Sequence, residues 1–195
     1  MGNVDLGRLL EQSGAVLHGH FLLTSGRHSD VYFEKFRILE QPAVLSALCA
    51  EIAEAMRGEP LDLVAGPTTG GIIIAFEVAR QMGLPAVYVE SEGEVKKLRR
   101  GAKIPAGARV LVVDDVLTTG TSVREVMEVV CDAGAETAAV ALLIDRAQEP
   151  IEFGCRTFAA YKVEAESYPP DAVPEWLAAI PITKPGTRAT AFRGR

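Results

Sequence analysis

Five short apolar runs rich in β-branched residues recur along the chain, at Leu61–Ala65, Ala86–Glu90, Arg109–Asp114, Ala138–Ile144 and Arg156–Tyr161. Runs this continuous suit strands covered on both faces. Between them, Ile72–Met82 and Ser122–Ala133 carry helical spacing, and each is followed by a glycine, Gly83 and Gly134, where a helix C-cap favours one. Pro42–Arg57 predicts a longer helix, with Pro42 in its first turn and Val44, Leu45, Leu48, Ile52, Ala55 and Met56 at 3/4 spacing. Strands alternating with helices predict an α/β fold, a central, mostly parallel sheet flanked by helices. His20–Lys35 reads differently, as short strands at Phe21–Thr24 and Val31–Phe33 around the turn residues Ser25 and Gly26. This predicts a small N-terminal hood over the sheet. The tail from Tyr168 holds Pro169, Pro170, Pro174 and Pro181, so it is expected to be irregular apart from a short helix near Pro174–Ala179. The expected organisation is one domain over 1–195, with a core of about 41–164 and a hood of about 1–40 joined by the tail of about 165–195. No internal repeat or low-complexity tract interrupts it.

Composition narrows the class. With 195 residues, 48% of them hydrophobic and 24% charged, the chain can build one real core and is not a disordered segment. Its longest apolar run, Ala138–Ile144, is far short of a membrane span, the first 30 residues lack a signal-peptide core, and Leu6 stands where a myristoylation site needs Ser or Thr. A cytoplasmic protein that meets no membrane is expected. Cys49, Cys131 and Cys155 are widely spaced without a C-x-x-C pair and read as buried free thiols of a reducing compartment.

The net charge of −6 hides a strong asymmetry: Lys96–Lys103 carries five bases and no acid, and Thr183–Arg195 carries four bases and no acid. An acidic body with two short basic segments is not the footprint of a nucleic-acid binder, whose basic surface covers a face. One local basic loop meeting a small anionic ligand fits better, although a solvated charge run would also account for it.

The most chemical stretch is Val110–Val123: an apolar strand, the adjacent acids Asp114 and Asp115 at its carboxyl end, and then Thr118, Thr119, Gly120, Thr121 and Ser122 leading into a helix. In open α/β sheets ligands bind outside the carboxyl ends of strands. A hydroxyl-rich turn at a helix N-terminus offers backbone N–H groups and the positive end of the helix dipole, which together favour phosphate. The two acids repel phosphate, so they should face sugar hydroxyls or a hydrated divalent cation. A sugar phosphate satisfies both halves. No lysine follows Gly120 and no G-x-G-x-x-G follows a predicted strand, so nucleoside-triphosphate hydrolysis and dinucleotide binding recede. Gly66–Gly71 follows another predicted strand and makes a second loop at the same sheet edge, though a plain tight turn would use the same glycines. His18, His20 and His28 cluster near the N-terminus at a spacing that matches no usual zinc pattern, and read as structural or substrate-lining. On spacing alone, Arg146 reads as a surface arginine paired with Asp145.

Val110–Val123 resembles the phosphoribosyl pyrophosphate (PRPP) signature of the type I phosphoribosyltransferases. Gly19–Asp30, Tyr32–Arg37, Gly66–Gly71, Asp145–Arg146, Tyr168–Asp171 and Lys184–Arg188 follow in the order of one branch of that family, and narrow the resemblance to the orotate phosphoribosyltransferases. The resemblance implies Mg2+-dependent transfer of the 5-phosphoribosyl group from PRPP to N1 of orotate, giving orotidine 5′-phosphate and pyrophosphate in de novo pyrimidine synthesis. It implies that Asp114 and Asp115 hold the ribose hydroxyls. Val116, Leu117, Thr118, Thr119, Gly120, Thr121 and Ser122 would wrap the 5′-phosphate, with Thr118 also touching the base. Arg146 would pair with the orotate carboxylate. Thr69 and Gly70 would take pyrophosphate, with Lys96 as a further PRPP contact. Glu90–Lys103 would be a mobile flap closing over the active site of a neighbouring subunit in a homodimer, its Lys97, Arg99 and Arg100 joining Asp114 and Asp115 as the catalytic set. The Mg2+ would be held mainly by PRPP, with no side-chain ligand set.

The chain departs from the family pattern in having no arginine near Ser91, no histidine in the flap, glycine at Gly70 where some members have lysine, and Val173–Leu177 in place of a Cys-Pro-x-x-Cys stretch. Two alternatives stay open at this point: a phosphoribosyltransferase for another base, such as a purine, and a non-catalytic regulator that binds PRPP.

Overall fold

The computed structural model describes residues 5–23, 25–93, 95–147, 149–163 and 166–183. In chain order the elements are α1 (Leu6–Gln12), β1 (Val16–Leu22), β2 (His28–Phe33), α2 (Lys35–Leu39), α3 (Pro42–Ala55), β3 (Leu63–Pro67), α4 (Gly70–Met82), β4 (Ala86–Glu92), β5 (Val95–Leu98), β6 (Arg109–Leu117), α5 (Thr121–Asp132), β7 (Glu136–Asp145), β8 (Arg156–Lys162), β9 (Ser167–Tyr168), α6 (Glu175–Ala178) and β10 (Ile182–Thr183).

These strands form two sheets. The larger has the order β5-β4-β3-β6-β7-β8, in which every neighbouring pair is parallel except β4 with β5. The continuous apolar runs follow from its position between two helical layers. Along β6, Leu111 and Val113 join the core under α3 and α4, whereas Val110 and Val112 join the core under α5. Alternate side chains of this strand therefore enter different cores, and from Val110 to Val113 every position is apolar. Each such Val or Leu contributes about 1.5–3 kcal/mol by burial. In α5, Val123, Val126 and Val130 turn inward at 3/4 spacing. This places Cys131 on the solvent side, and Cys155 is only partly covered, so of the three expected buried thiols only Cys49 is one. Among the described residues, no helix is long and apolar enough to cross a membrane.

The smaller sheet has the order β10-β1-β2-β9. Its middle is an antiparallel hairpin of β1 and β2, longer than the hydrophobic pattern predicts, and both edges come from the tail. The tail is thus more ordered than its prolines imply, because two-residue strands need only an open edge to pair with. Arg27 donates from Nε to Ser167 Oγ at 2.7 Å and also reaches the Ser167 carbonyl, while Ser29 Oγ donates to the Glu166 carbonyl at 3.0 Å. His20 is buried, with Nδ1 2.9 Å from the Ile180 carbonyl and Nε2 2.6 Å from His28 Nδ1. The two rings are therefore a structural clasp between β1, β2 and the tail. The basic tail and its Lys184–Arg188 match lie outside the described residues, as does Thr24.

Glu90–Lys103 also differs from the expected loop. Its first half is a hairpin, in which Ser91 faces Lys96 and Glu92 faces Val95, turning at Gly93. β5, with the sequence Val-Lys-Lys-Leu, carries no alternation of its own and is a strand only because β4 supplies a partner.

Candidate active site

β3, β6 and β7 run side by side and in parallel, so the loops that follow them open at one edge. Asp114 and Asp115 lie where β6 reaches that edge, and each is only 7% exposed. They are locally clamped: Asp115 N–H donates to Asp114 Oδ1 at 2.8 Å, and Val116 N–H donates to Asp115 Oδ1 at 2.7 Å. Burial, reinforced by the neighbouring Asp115 charge, pushes the Asp114 carboxyl up to about 6, against the opposing pull of the Asp115 N–H and the Ser122 hydroxyl. Asp115 escapes isolation through Lys35, whose Nζ is 2.7 Å from its Oδ2. Burial disfavours the Lys35 ammonium, yet its hydrogen bond to Asp115 and the two carboxylate charges outweigh that cost and hold its pKa above the ordinary value.

The β6–α5 turn is built around Gly120, which sits at φ +75° as the N-cap of α5 and makes no side-chain cap. A Cβ there would come within 3.0 Å of the Phe153 ring, so glycine is required by both conformation and space. With no cap bond spent, the first turn of α5 faces a recess of about 280 Å³ walled by Asp114, Thr118, Thr119, Thr121, Ser122 and their neighbours. Thr119 and Thr121 hold each other by a 3.0 Å hydroxyl contact. Backbone donors, hydroxyls and a helix N-terminus meet in this recess, the groups that favour an anion such as phosphate.

A larger cavity of about 1210 Å³ shares Val116, Thr118 and Thr119 with that recess and adds Tyr32, Lys35, Asp115 and Arg146. The guanidinium of Arg146 lies 5.8 Å from the Tyr32 ring centroid and 6.0 Å from that of Phe33. This corrects the expectation from spacing: Asp145 accepts from the Ala147 N–H at 2.9 Å, and among the described residues Arg146 makes no ion pair. Burial lowers the Arg146 pKa from its ordinary value, though an arginine stays charged at neutral pH. A half-buried guanidinium over two rings, facing a cavity, suits a planar carboxylate.

The Gly66–Gly71 loop reaches the same place from β3. Thr69 caps α4, and Gly70 lies so close to Asp115 that a Cβ on it would stand 2.5 Å from Oδ2. Of the predicted pair, Gly70 thus meets Asp115, whereas Thr69 and the flap bases line neither cavity. Lys96 bonds Ser91 Oγ at 2.8 Å and lies 3.6 Å from Glu125 of α5, and Arg100 pairs with Glu90 at 3.0 Å. None of Lys96, Lys97, Arg99 and Arg100 lines either cavity. The Tyr32–Arg37 stretch carries the family resemblance, but nothing in its sequence marks Tyr32, Phe33 or Lys35 for a role. Only their placement against Arg146 and Asp115 singles them out.

Among the described residues, no three His, Cys, Asp or Glu side chains converge on a point that holds a metal ion by itself. The oxygen donors of Asp114 and Asp115 do fit a hydrated divalent ion that arrives with an oxygen-rich ligand.

Residues 37–155 match the family model described as the phosphoribosyl transferase domain. The orotate phosphoribosyltransferase of Pelotomaculum thermopropionicum is 45% identical over 184 residues, covering 94% of this chain and 97% of that protein. That of Caldanaerobacter subterraneus subsp. tengcongensis is 43% identical over 180 residues, covering 92% and 95%. The crystal structure of orotate phosphoribosyltransferase from Aeropyrum pernix superposes with a TM-score of 0.72 at 31% identity, over 82% of this chain and 94% of that one. A phosphate cradle beside paired acids, an inward-facing arginine and near full-length agreement with these relatives all lead to one assignment: the chain belongs to the orotate phosphoribosyltransferase family.

Proposed function

We propose that this site transfers the 5-phosphoribosyl group of PRPP to N1 of orotate, releasing pyrophosphate and giving orotidine 5′-phosphate for pyrimidine synthesis. The observation that carries the reading is the shared wall of Val116, Thr118 and Thr119, with a phosphate-sized recess on one side and a cavity holding Arg146 on the other. In this reading the α5 N-terminus and the hydroxyls of Thr118, Thr119, Thr121 and Ser122 bind the 5′-phosphate, and Asp114 and Asp115 accept the ribose hydroxyls. Arg146 takes the orotate carboxylate bidentately, and Tyr32 and Phe33 hold its guanidinium in plane.

Breaking the bond to pyrophosphate leaves positive charge on the sugar and negative charge on the departing group. Transition-state stabilisation is therefore electrostatic and needs little acid–base work. A bound Mg2+, held mainly by PRPP with Asp114 and Asp115 facing it, would supply charge neutralisation to the leaving group. Thr69 and Gly70 border the pyrophosphate position. Lys96, Lys97, Arg99 and Arg100 act from the β4–β5 hairpin of a neighbouring subunit, which closes over the site and excludes water that would otherwise capture the sugar. The homodimer this requires is supported by apolar side chains left open on α4, with Ile73 43% and Phe76 64% exposed. A cytoplasmic location completes the reading.

The test follows the fall in orotate ultraviolet absorbance with Mg2+ and PRPP, beside reactions holding uracil, adenine, hypoxanthine or xanthine. Turnover with orotate alone is the expected result. Turnover with a purine would move the assignment to another base, and PRPP binding without any turnover would mark a regulator.

A further inference from the structure

Lys35 is left without a role by the β6–α5 recess and by Arg146, yet in the cavity it makes a direct ion pair with one of the paired acids. It is the first residue of α2 and comes from a segment 80 residues before its partner, with Nζ 2.7 Å from Asp115 Oδ2. Gly70 closes on the same oxygen from the opposite loop, and Asp115 Oδ1 is already held by the Val116 N–H. The carboxylate therefore has a fixed orientation, with the ammonium on its cavity side: the Lys35 side chain is 42% exposed and that of Asp115 10%. A carboxylate oxygen accepts more than one hydrogen bond, so Oδ2 can serve Lys35 and a sugar hydroxyl together.

The electrostatics of the edge raise a difficulty that this contact resolves. Two adjacent, nearly buried carboxylates present two negative charges where a polyanionic sugar phosphate must bind. We propose that Lys35 is a positioning residue for the phosphoribosyl donor, its ammonium cancelling one carboxylate charge and fixing Asp115 so that the anionic substrate can deliver its ribose hydroxyls to the acids. This inference rests on the functional reading above and extends it to a side chain outside the signature loop. An ammonium suits the task because its three donors can bond Asp115 while one remains for the incoming ligand. The charge it supplies is one that free Mg2+ can partly replace from solution.

Lys35→Met and Lys35→Arg in the full chain provide the test, with calorimetric binding of PRPP at fixed Mg2+ as the primary readout. Lys35→Met is expected to raise the PRPP Kd by about tenfold to a hundredfold, the range of one charge-assisted hydrogen bond, while the KM for orotate moves by less than about twofold. The Mg2+ concentration for half-maximal binding should rise in the same variant, and Lys35→Arg should recover most of the affinity. A PRPP Kd within about twofold of wild type overturns the proposal, as does an orotate KM that moves as far as the Kd. If Lys35→Met lowers the thermal midpoint and Lys35→Arg restores neither stability nor affinity, Lys35 is a structural strut and the proposal also fails. Wild-type protein that neither binds PRPP nor consumes orotate refutes the functional reading itself, a result distinct from any of these.

Discussion

The two halves of the cavity are built on opposite plans. The side proposed to hold phosphate is local: Asp114 to Ser122 lie consecutively on β6, one turn and the start of α5, and their geometry follows from a strand reaching a sheet edge. The side proposed to hold the base is assembled at long range. Tyr32 and Phe33 come from β2 in the small sheet, Arg146 follows β7 in the large one, and the tail closes the small sheet through Ser167 and Ile180. A local motif can be kept while the other half changes, so one fold can retain its sugar-phosphate end and exchange its acceptor.

Substitutions can break this comparison. The largest effect is expected from Asp115→Asn, which removes the charge that Lys35 and the ribose hydroxyls share. The kcat/KM for PRPP should fall by about a hundredfold or more, with orotate binding largely retained. Equal loss for both substrates would mean that the halves are not separable. Arg146→Ala should do the reverse, raising the orotate KM by about tenfold to a hundredfold while calorimetric PRPP affinity holds. Unchanged orotate kinetics would remove Arg146 from the base side.

A smaller effect sharpens the local half alone. Gly120→Ala forces a side chain onto a left-handed backbone against Phe153 and should cost about 1–3 kcal/mol in denaturant unfolding, with a weaker PRPP affinity and an intact Arg146 response.

The smallest effect concerns pH. Because the Asp114 carboxyl is raised to about 6, the folded state binds a proton that the unfolded chain has released between its ordinary value near 3.8 and 6. Stability from this group therefore falls as pH rises through that window, and at neutral pH the buried carboxylate is a net cost. Asp114→Asn should melt a few degrees higher than wild type at pH 7.5, with the gain shrinking toward pH 5, while losing activity. A constant gain across that range would separate the stabilisation from ionisation. In wild type, kcat/KM for PRPP should fall below pH about 6, where Asp114 no longer accepts two hydroxyls as a carboxylate.

The same division decides what could be read in advance. The central strands of the large sheet, β3, β6 and β7, announce themselves because both faces are buried, and Val110–Val123 carries its chemistry in consecutive residues. The small α1 and α2 helices, the β4–β5 hairpin and the edge strands β9 and β10 are too short to carry a period, and exist because a partner is in place. Lys35 looks like any lysine at a helix start until β6 brings Asp115 beneath it. Gly70 reads as a turn residue until its missing Cβ proves to be the space that Asp115 Oδ2 fills. Arg146, next to Asp145 in sequence, lies instead over the Tyr32 and Phe33 rings that β2 brings to it.

The small sheet also sets an order of assembly. Its central hairpin, β1 and β2, precedes every strand of the large sheet in the chain, yet both of its edges are filled by β9 and β10, made after every strand of that sheet. Until then the hairpin has two open edges, a state prone to pairing with the wrong strand. The β6–α5 recess can form while synthesis continues, whereas the cavity walled by β2 closes only with the tail, so on the proposed reading a prematurely terminated chain would keep its grip on the sugar phosphate without a finished wall for the base.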